Sequence, residues 1–179
     1  MNNLYKIIRK LRNDYRSKLN QYAIIVRISK QKLYLVKGNK IINQYSVSTS
    51  KYGVGNKDRS NQTPLGMHRI CSKICKKVEI GTIFQNRRNT KRLSKIYNKW
   101  TFISKDEITT RIFRLEGLES GINKGKGIDS FRRQIYIHGT PVEYLIGKPA
   151  SNCCVRMRNK DVIELFNCVP RNTLVEIIA

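Results

Sequence analysis

Between residues 22 and 49 the chain packs three strand-like segments almost end to end. YAIIVRI (22–28), KLYLVK (32–37) and IINQYSVST (41–49) are rich in β-branched and aromatic residues. The second junction, GNK (38–40), is a turn signal. A parallel crossover needs a dozen or more residues, so junctions this short dictate an antiparallel meander. A polar loop follows, SKYGVGNKDRSNQ (50–62), and then TPLGMHRI (63–70), where Thr63-Pro64 and Gly66 predict a turn feeding another strand.

Further along, KKVEIGTIF (76–84) is read as containing a strand, and the basic run NRRNTKRLSK (86–95) as loop or helix. KWTFISKDEI (99–108) resumes alternation, and GLESGINKGKGIDS (117–130) is a Gly-rich loop. That loop lacks the glycine and lysine spacings of nucleotide-binding loops, which excludes a P-loop or Rossmann reading. RRQIYIHGT (132–140) predicts a strand ending at His138-Gly139-Thr140. Asn159 is placed as the N-cap of a short helix over KDVIELFNCV (160–169), with Pro170 beyond its end, and TLVEII (173–178) closes the chain as a strand. No internal repeat or second core is evident. The 179 residues, 40% of them apolar, suit one mainly β domain with short helices.

The N-terminal stretch reads differently. Leu4, Ile7, Ile8, Leu11, Tyr15 and Leu19 recur at three- and four-residue intervals among lysines and arginines, which predicts a basic amphipathic helix over residues 1–20. Such a helix either packs its apolar stripe on the domain or lies on an anionic membrane. It has no uninterrupted apolar core of a signal peptide. No segment of the chain approaches the roughly 18 apolar residues of a membrane span. The formal net charge of +24 favours polyanions: nucleic acid, anionic lipid or an acidic envelope polymer. The charge is spread rather than massed, and an AT-rich coding composition produces the same bias. No motif that reads DNA or RNA is present.

Five cysteines, an odd number, exclude complete pairing within one chain. Cys71 and Cys75 are spaced C-x3-C, but two histidines and no second clip give weak grounds for zinc. In IGKPASNCCVRM (146–157), Cys153 stands beside Cys154. These are a redox pair, a metal clip, or a nucleophile with a neighbour. A reactive cysteine needs a cationic or basic partner that raises its thiolate fraction. His138, at the end of an apolar strand and beside two small residues, is the candidate. His68 lies on a presumed strand without such a setting.

IYIHGT (135–140) followed by IGKPASNCCVRM (146–157) resembles the signature of the L,D-transpeptidase (YkuD domain) family, with H-G-T, a short loop, and S-H-G-C-[IV]-R-[ML]. SKQKLYLVKGNKIINQYSVST, QTPLGMHRI and GLESGINKGKGIDSFRRQIYIHGT are similar to earlier family segments, in order. The resemblance implies a β-sandwich or barrel catalytic domain over residues 22–178. It makes Cys154 the nucleophile and His138 the proton acceptor and donor. Backbone N–H groups at Cys153 and Cys154 would hold the oxyanion, with a carbonyl near Gly139 orienting the imidazole. Arg156, Ser151, Asn152, Tyr136 and Thr140 would support the loop or the substrate. Asn152 stands where the family has histidine, and Cys153 where it has glycine, a place that tolerates a side chain only at negative φ. In an extended segment Cys153 would face away from Cys154 and Arg156.

By the same resemblance the donor is a peptidoglycan stem tetrapeptide, cut before its terminal D-alanine and passed to an amine. The expected protein is a monomer of the cell envelope or periplasm, although no export signal is visible. No metal or organic cofactor is expected. The rivals are a hydrolytic or degenerate relative that binds the envelope, and a basic nucleic-acid-binding protein.

Overall fold

The computed structural model describes residues 6–9, 22–101 and 107–179. Ten strands and one helix follow in chain order: β1 (Tyr22–Arg27), β2 (Lys32–Lys37), β3 (Lys40–Ser48), β4 (Gly66–Ile74), β5 (Thr82–Gln85), β6 (Arg88–Leu93), β7 (Ile108–Gly117), β8 (Tyr136–Gly139), β9 (Val155–Met157), α1 (Asn159–Cys168) and β10 (Leu174–Ile178). The first three form the expected antiparallel meander. The sheet runs β4-β10-β1-β2-β3-β9-β8-β7, and a β4–β7 pairing closes it into a barrel. Closure removes the edges of the ring, and β5 and β6 extend from β7 as an appended hairpin whose outer edge is β6. Two pairings in the ring are parallel, β1 with β10 and β8 with β9.

The core fills the barrel. Alternate residues of the strands point inward, among them Ile24, Val26, Leu33, Leu35, Val47, Phe113, Leu115, Ile135, Ile137, Val155 and Met157. Helix α1 adds Val162, Leu165 and Phe166 to that core, the last with its ring 5.1 Å from Phe113. Outside, Ile8 packs with Ile25, Val36 and Met67, so the helical turn at 6–9 docks an apolar face on the barrel wall. The rest of the amphipathic pattern over 1–20 lies outside the described residues.

Three local expectations are corrected. The basic run 86–95 is neither loop nor helix but carries strand β6. Asn86 and Arg87, both at positive φ (48° and 65°), form a two-residue turn of the kind that matches strand twist, and pairing with β5 then imposes the extended form. The long strand β7 was hidden because its alternation breaks. A bulge lies between Thr109 and Ile112, Thr110 sits at φ 69°, and Arg111 is buried. Helix α1 has Arg158 at its N-cap position and Asn159 as its first residue, with the Asn159 N–H donating to Glu143 Oε1 and its side chain left for other bonds. Residues 102–106 of the predicted alternation at 99–108 lie outside the described residues.

Candidate active site

The opposite, outward face of β7 and β8 carries a second apolar cluster of Ile112 and Tyr136, roofed by Phe84 of β5. Cys154, at the bend just before β9, packs against this cluster. His138 lies two residues from Tyr136 on β8 and is paired in register with Ile112 and with Arg156. Period-two alternation puts His138 on the same outward face as Tyr136. The topology thus gathers His138 and Cys154 from adjacent parallel strands onto one side of the barrel.

His138 is buried, and its Nδ1 lies 2.7 Å from the carbonyl oxygen of Gly139. A carbonyl only accepts, so Nδ1 carries the proton in the neutral ring and Nε2 is the basic nitrogen. Gly139 has a steric reason to be glycine. A Cβ there would lie 2.5 Å from Asn159 Oδ1 and 2.8 Å from the Thr109 carbonyl oxygen. That crowding traces to Asn159, which is buried and fully engaged. Its Oδ1 accepts the hydroxyls of Thr109 and Thr110 (2.8 and 2.5 Å), and its Nδ2 donates to the Thr140 carbonyl and to Glu143 Oε1 (both 2.8 Å). One amide therefore pins the bulge of β7 to the segment following His138.

The cysteine loop is held from both sides. Thr63 Oγ1 donates to the Cys153 carbonyl (3.0 Å), and Ser151 Oγ donates to the Cys154 carbonyl (2.6 Å). In a trans peptide the N–H points opposite the carbonyl, so fixing the Cys153 carbonyl also fixes the direction of the Cys154 N–H. Cys153 is not among the residues at positive φ, so its side chain occupies the glycine place without backbone strain. Cys153 packs on the barrel core and Cys154 on the outer cluster, with their sulfurs 3.8 Å apart. The Cys154 thiol also donates to the Gln134 carbonyl, at 3.7 Å. Arg156 is buried, and Asn152 is exposed.

Electrostatics around the thiols are cationic. Arg133 interacts with both Cys153 and Cys154, while burial lowers its own pKa. It is anchored by the Gly55 and Gln62 carbonyls (3.2 and 2.6 Å). A nearby cation favours the thiolate. Burial raises the Tyr136 hydroxyl's pKa, against the opposing pull of Arg87. Tyr136 donates to Gln134 Oε1 (3.1 Å) and accepts from Arg87 Nη1 (3.1 Å).

His68 is built differently. It is fully buried on β4, with Nδ1 2.9 Å from the Gly66 carbonyl and Nε2 2.9 Å from Ser130 Oγ. Burial pushes its pKa down to about 4.

Residue-level reading missed Thr63, Gln134, Arg133, Arg87 and Asn159 as parts of this site. Thr63 had a signal, since it begins the TPLG turn. Arg87 and Arg133 had none, being two arginines among many.

Known structures carry the same fold. The L,D-transpeptidase from Mycobacterium smegmatis superposes with TM-score 0.53 over 89% of this chain and 59% of its own, at 11% identity. L,D-transpeptidase 3 from Mycobacterium tuberculosis, solved with a faropenem-derived adduct, gives 0.51 over 88% and 60%, at 13% identity. The barrel is thus an L,D-transpeptidase fold. The L,D-transpeptidase catalytic domain (YkuD) model matches residues 21–177, and the chain belongs to that family. Among curated relatives, the putative L,D-transpeptidase YkuD of Bacillus subtilis is 53% identical over 49 residues, which is 27% of this chain and 30% of that protein. The putative L,D-transpeptidase YqjB of the same organism is 47% identical over 51 residues, 28% of this chain and 27% of its own length. The aligned stretch spans about a third or less of either relative.

Proposed function

We propose that the chain is a cysteine-dependent L,D-transpeptidase acting on peptidoglycan stem tetrapeptides, with residues 22–178 as its catalytic domain and the basic, amphipathically patterned stretch 1–20 as an appendage. The observation that carries this reading is the convergence of Cys154 and His138 on the outward face of β7–β9, with the cysteine loop clamped by Thr63 and Ser151.

In the proposed cycle His138 Nε2 takes the Cys154 thiol proton, and the thiolate attacks the carbonyl that precedes the terminal D-alanine. The ring is oriented by its Nδ1–H bond to the Gly139 carbonyl, the place an acid fills in other triads. The tetrahedral oxyanion is held by backbone N–H groups, with Cys154 N–H the best fixed; a donor of this kind is worth about 3 kcal/mol. Collapse breaks the C–N bond, and His138 returns its proton to the departing D-alanine amine. The thioester on Cys154 is then resolved by an amine acceptor, restoring the thiol. Arg133 favours the thiolate by charge, and Asn159 acts as a positioning residue through the His138–Thr140 segment. The site works as a monomer in the cell envelope. Among the described residues no helix is long and apolar enough to cross a membrane, and the basic stretch 1–20 is a candidate contact for an anionic membrane surface.

The direct test is intact mass after incubation with a carbapenem, a mimic of the acyl donor. The expected result is a single adduct on wild type and Cys153→Ala and none on Cys154→Ala. An adduct lost only in Cys153→Ala would shift the nucleophile by one residue, and no adduct on any folded variant would sink the catalytic reading.

A further inference from the structure

Several arginines lie on or near strands β7–β9, and most are occupied by main chain. Arg114 lies 3.4 Å over the Phe131 ring and donates to its carbonyl (3.1 Å). Arg111 donates to the Thr110 and Val78 carbonyls (2.6 and 3.0 Å). Arg133 is tied to Gly55 and Gln62. These bonds fix loops and the β7 bulge.

Arg87 stands apart. It sits at the tip of the β5–β6 turn, presented by positive φ at Asn86 and at Arg87 itself. Through Nη1 it donates to two side-chain oxygens, Gln134 Oε1 (3.4 Å) and Tyr136 Oη (3.1 Å). It also lines an open hollow of about 550 Å³ formed along residues 85–90. The ion pairs of Glu116, with Arg69 and Lys124, leave Arg87 aside, and no described carboxylate neutralises it. Gln134 connects this cation to the thiol: its side chain accepts from Arg87 while its carbonyl accepts from Cys154. Guanidinium and sulfur are therefore separated by a single residue, Gln134, with a hydrogen bond at each end.

That spacing matches a particular piece of the donor. In a peptide cut one residue before its end, the terminal carboxylate lies one residue beyond the scissile carbonyl. We propose that Arg87 is a specificity residue that binds the C-terminal carboxylate of the acyl donor, so that the enzyme selects donors ending immediately after the scissile bond. The assignment rests on the transpeptidase reading. Held through one amino group by Gln134 and Tyr136, the guanidinium keeps other N–H donors for a planar, charge-assisted bond to a carboxylate. The leaving D-amino acid carries that carboxylate away, so the interaction selects the donor and does not persist in the thioester.

The test compares a tetrapeptide donor with its C-terminal carboxamide, using release of the terminal residue by wild type and variants of the full chain. Wild type is expected to prefer the free carboxylate by about 10-fold or more in kcat/KM, the size of a hydrogen bond to a charged group. In Arg87→Gln that preference collapses to near unity through slower reaction of the carboxylate peptide, while the carboxamide rate holds. Arg87→Lys keeps part of it, and Arg92→Gln, an equal charge change on the exposed β6 strand, keeps all of it. A thermal melt like that of wild type, with the carboxamide peptide still turned over, checks that the Arg87→Gln site is intact. Undiminished preference in Arg87→Gln, or none in a wild type that turns over both peptides, overturns the Arg87 assignment alone. A wild type that neither acylates nor turns over either peptide overturns the functional reading and this assignment with it.

Discussion

The chain has two histidines, and the fold treats them as opposites. His68 and His138 both sit on barrel strands, both are nearly inaccessible, and both place Nδ1 within 2.9 Å of a main-chain carbonyl. The difference is on the strand face. His68 Nε2 meets the Ser130 hydroxyl, and the ring shares its strand face with the core residue Ile70. His138 shares the outward face with Tyr136, against which Cys154 packs. Burial and a Nδ1 bond therefore do not distinguish the two imidazoles. The strand face and what packs on it do.

The largest expected effect breaks the comparison outright. His138→Gln should slow carbapenem acylation by about 100-fold or more, the scale of general acid–base catalysis, with little change in thermal stability. His68→Gln should do the reverse, lowering Tm while the folded fraction acylates at the wild-type rate. Mass spectrometry paired with thermal melts reads both outcomes, and equal acylation loss in the two variants would erase the distinction.

Acid sharpens the contrast next. Unfolded histidine takes its proton near pH 6.5, whereas folded His68 waits until about 4. Between those values the unfolded state binds more protons, so the contribution of His68 is complete above pH 6.5 and declines as pH falls toward 4. The full loss is about 3 kcal/mol, and His68→Gln should flatten that part of the stability profile. Asp161, whose carboxyl burial pushes up, moves stability the other way, so the difference between the two proteins is the quantity to measure.

Asn159→Ala tests what supports the His138 side. It strands the hydroxyls of Thr109 and Thr110 and releases the Thr140 carbonyl, at a cost of about 2 kcal/mol. Acylation should also slow, because the segment after His138 loses its tether; urea denaturation and adduct kinetics separate the two effects. The smallest change is Ser130→Ala, which removes only the Nε2 partner of His68. A loss of about 1 kcal/mol is expected with no effect on acylation.

The two halves of the molecule were not equally legible. The meander at β1–β3 was readable because its strands are rich in β-branched and aromatic residues and its junctions are short. Strand β7 was not, since a bulge, a left-handed Thr110 and a buried Arg111 break its period, and those features depend on contacts with β4, β5 and Asn159. The basic β6 was hidden for a related reason. An exposed edge strand shows no apolar alternation, and charge there guards the edge against further pairing.

The sequence by itself determined the strand-rich class, the family signature and the pair of residues most worth testing, because alternation and motif spacing are local properties. It could not say which of two adjacent thiols faces which cluster, which histidine is consumed by a hydroxyl, or which of many arginines stands beside the cysteine. Those choices belong to barrel closure. Pairing β8 with β9 and β7 with β4 brings residues distant in the chain onto one face, where Cys154 packs against Tyr136, Arg87 bonds to Tyr136, and His138 shares the strand face.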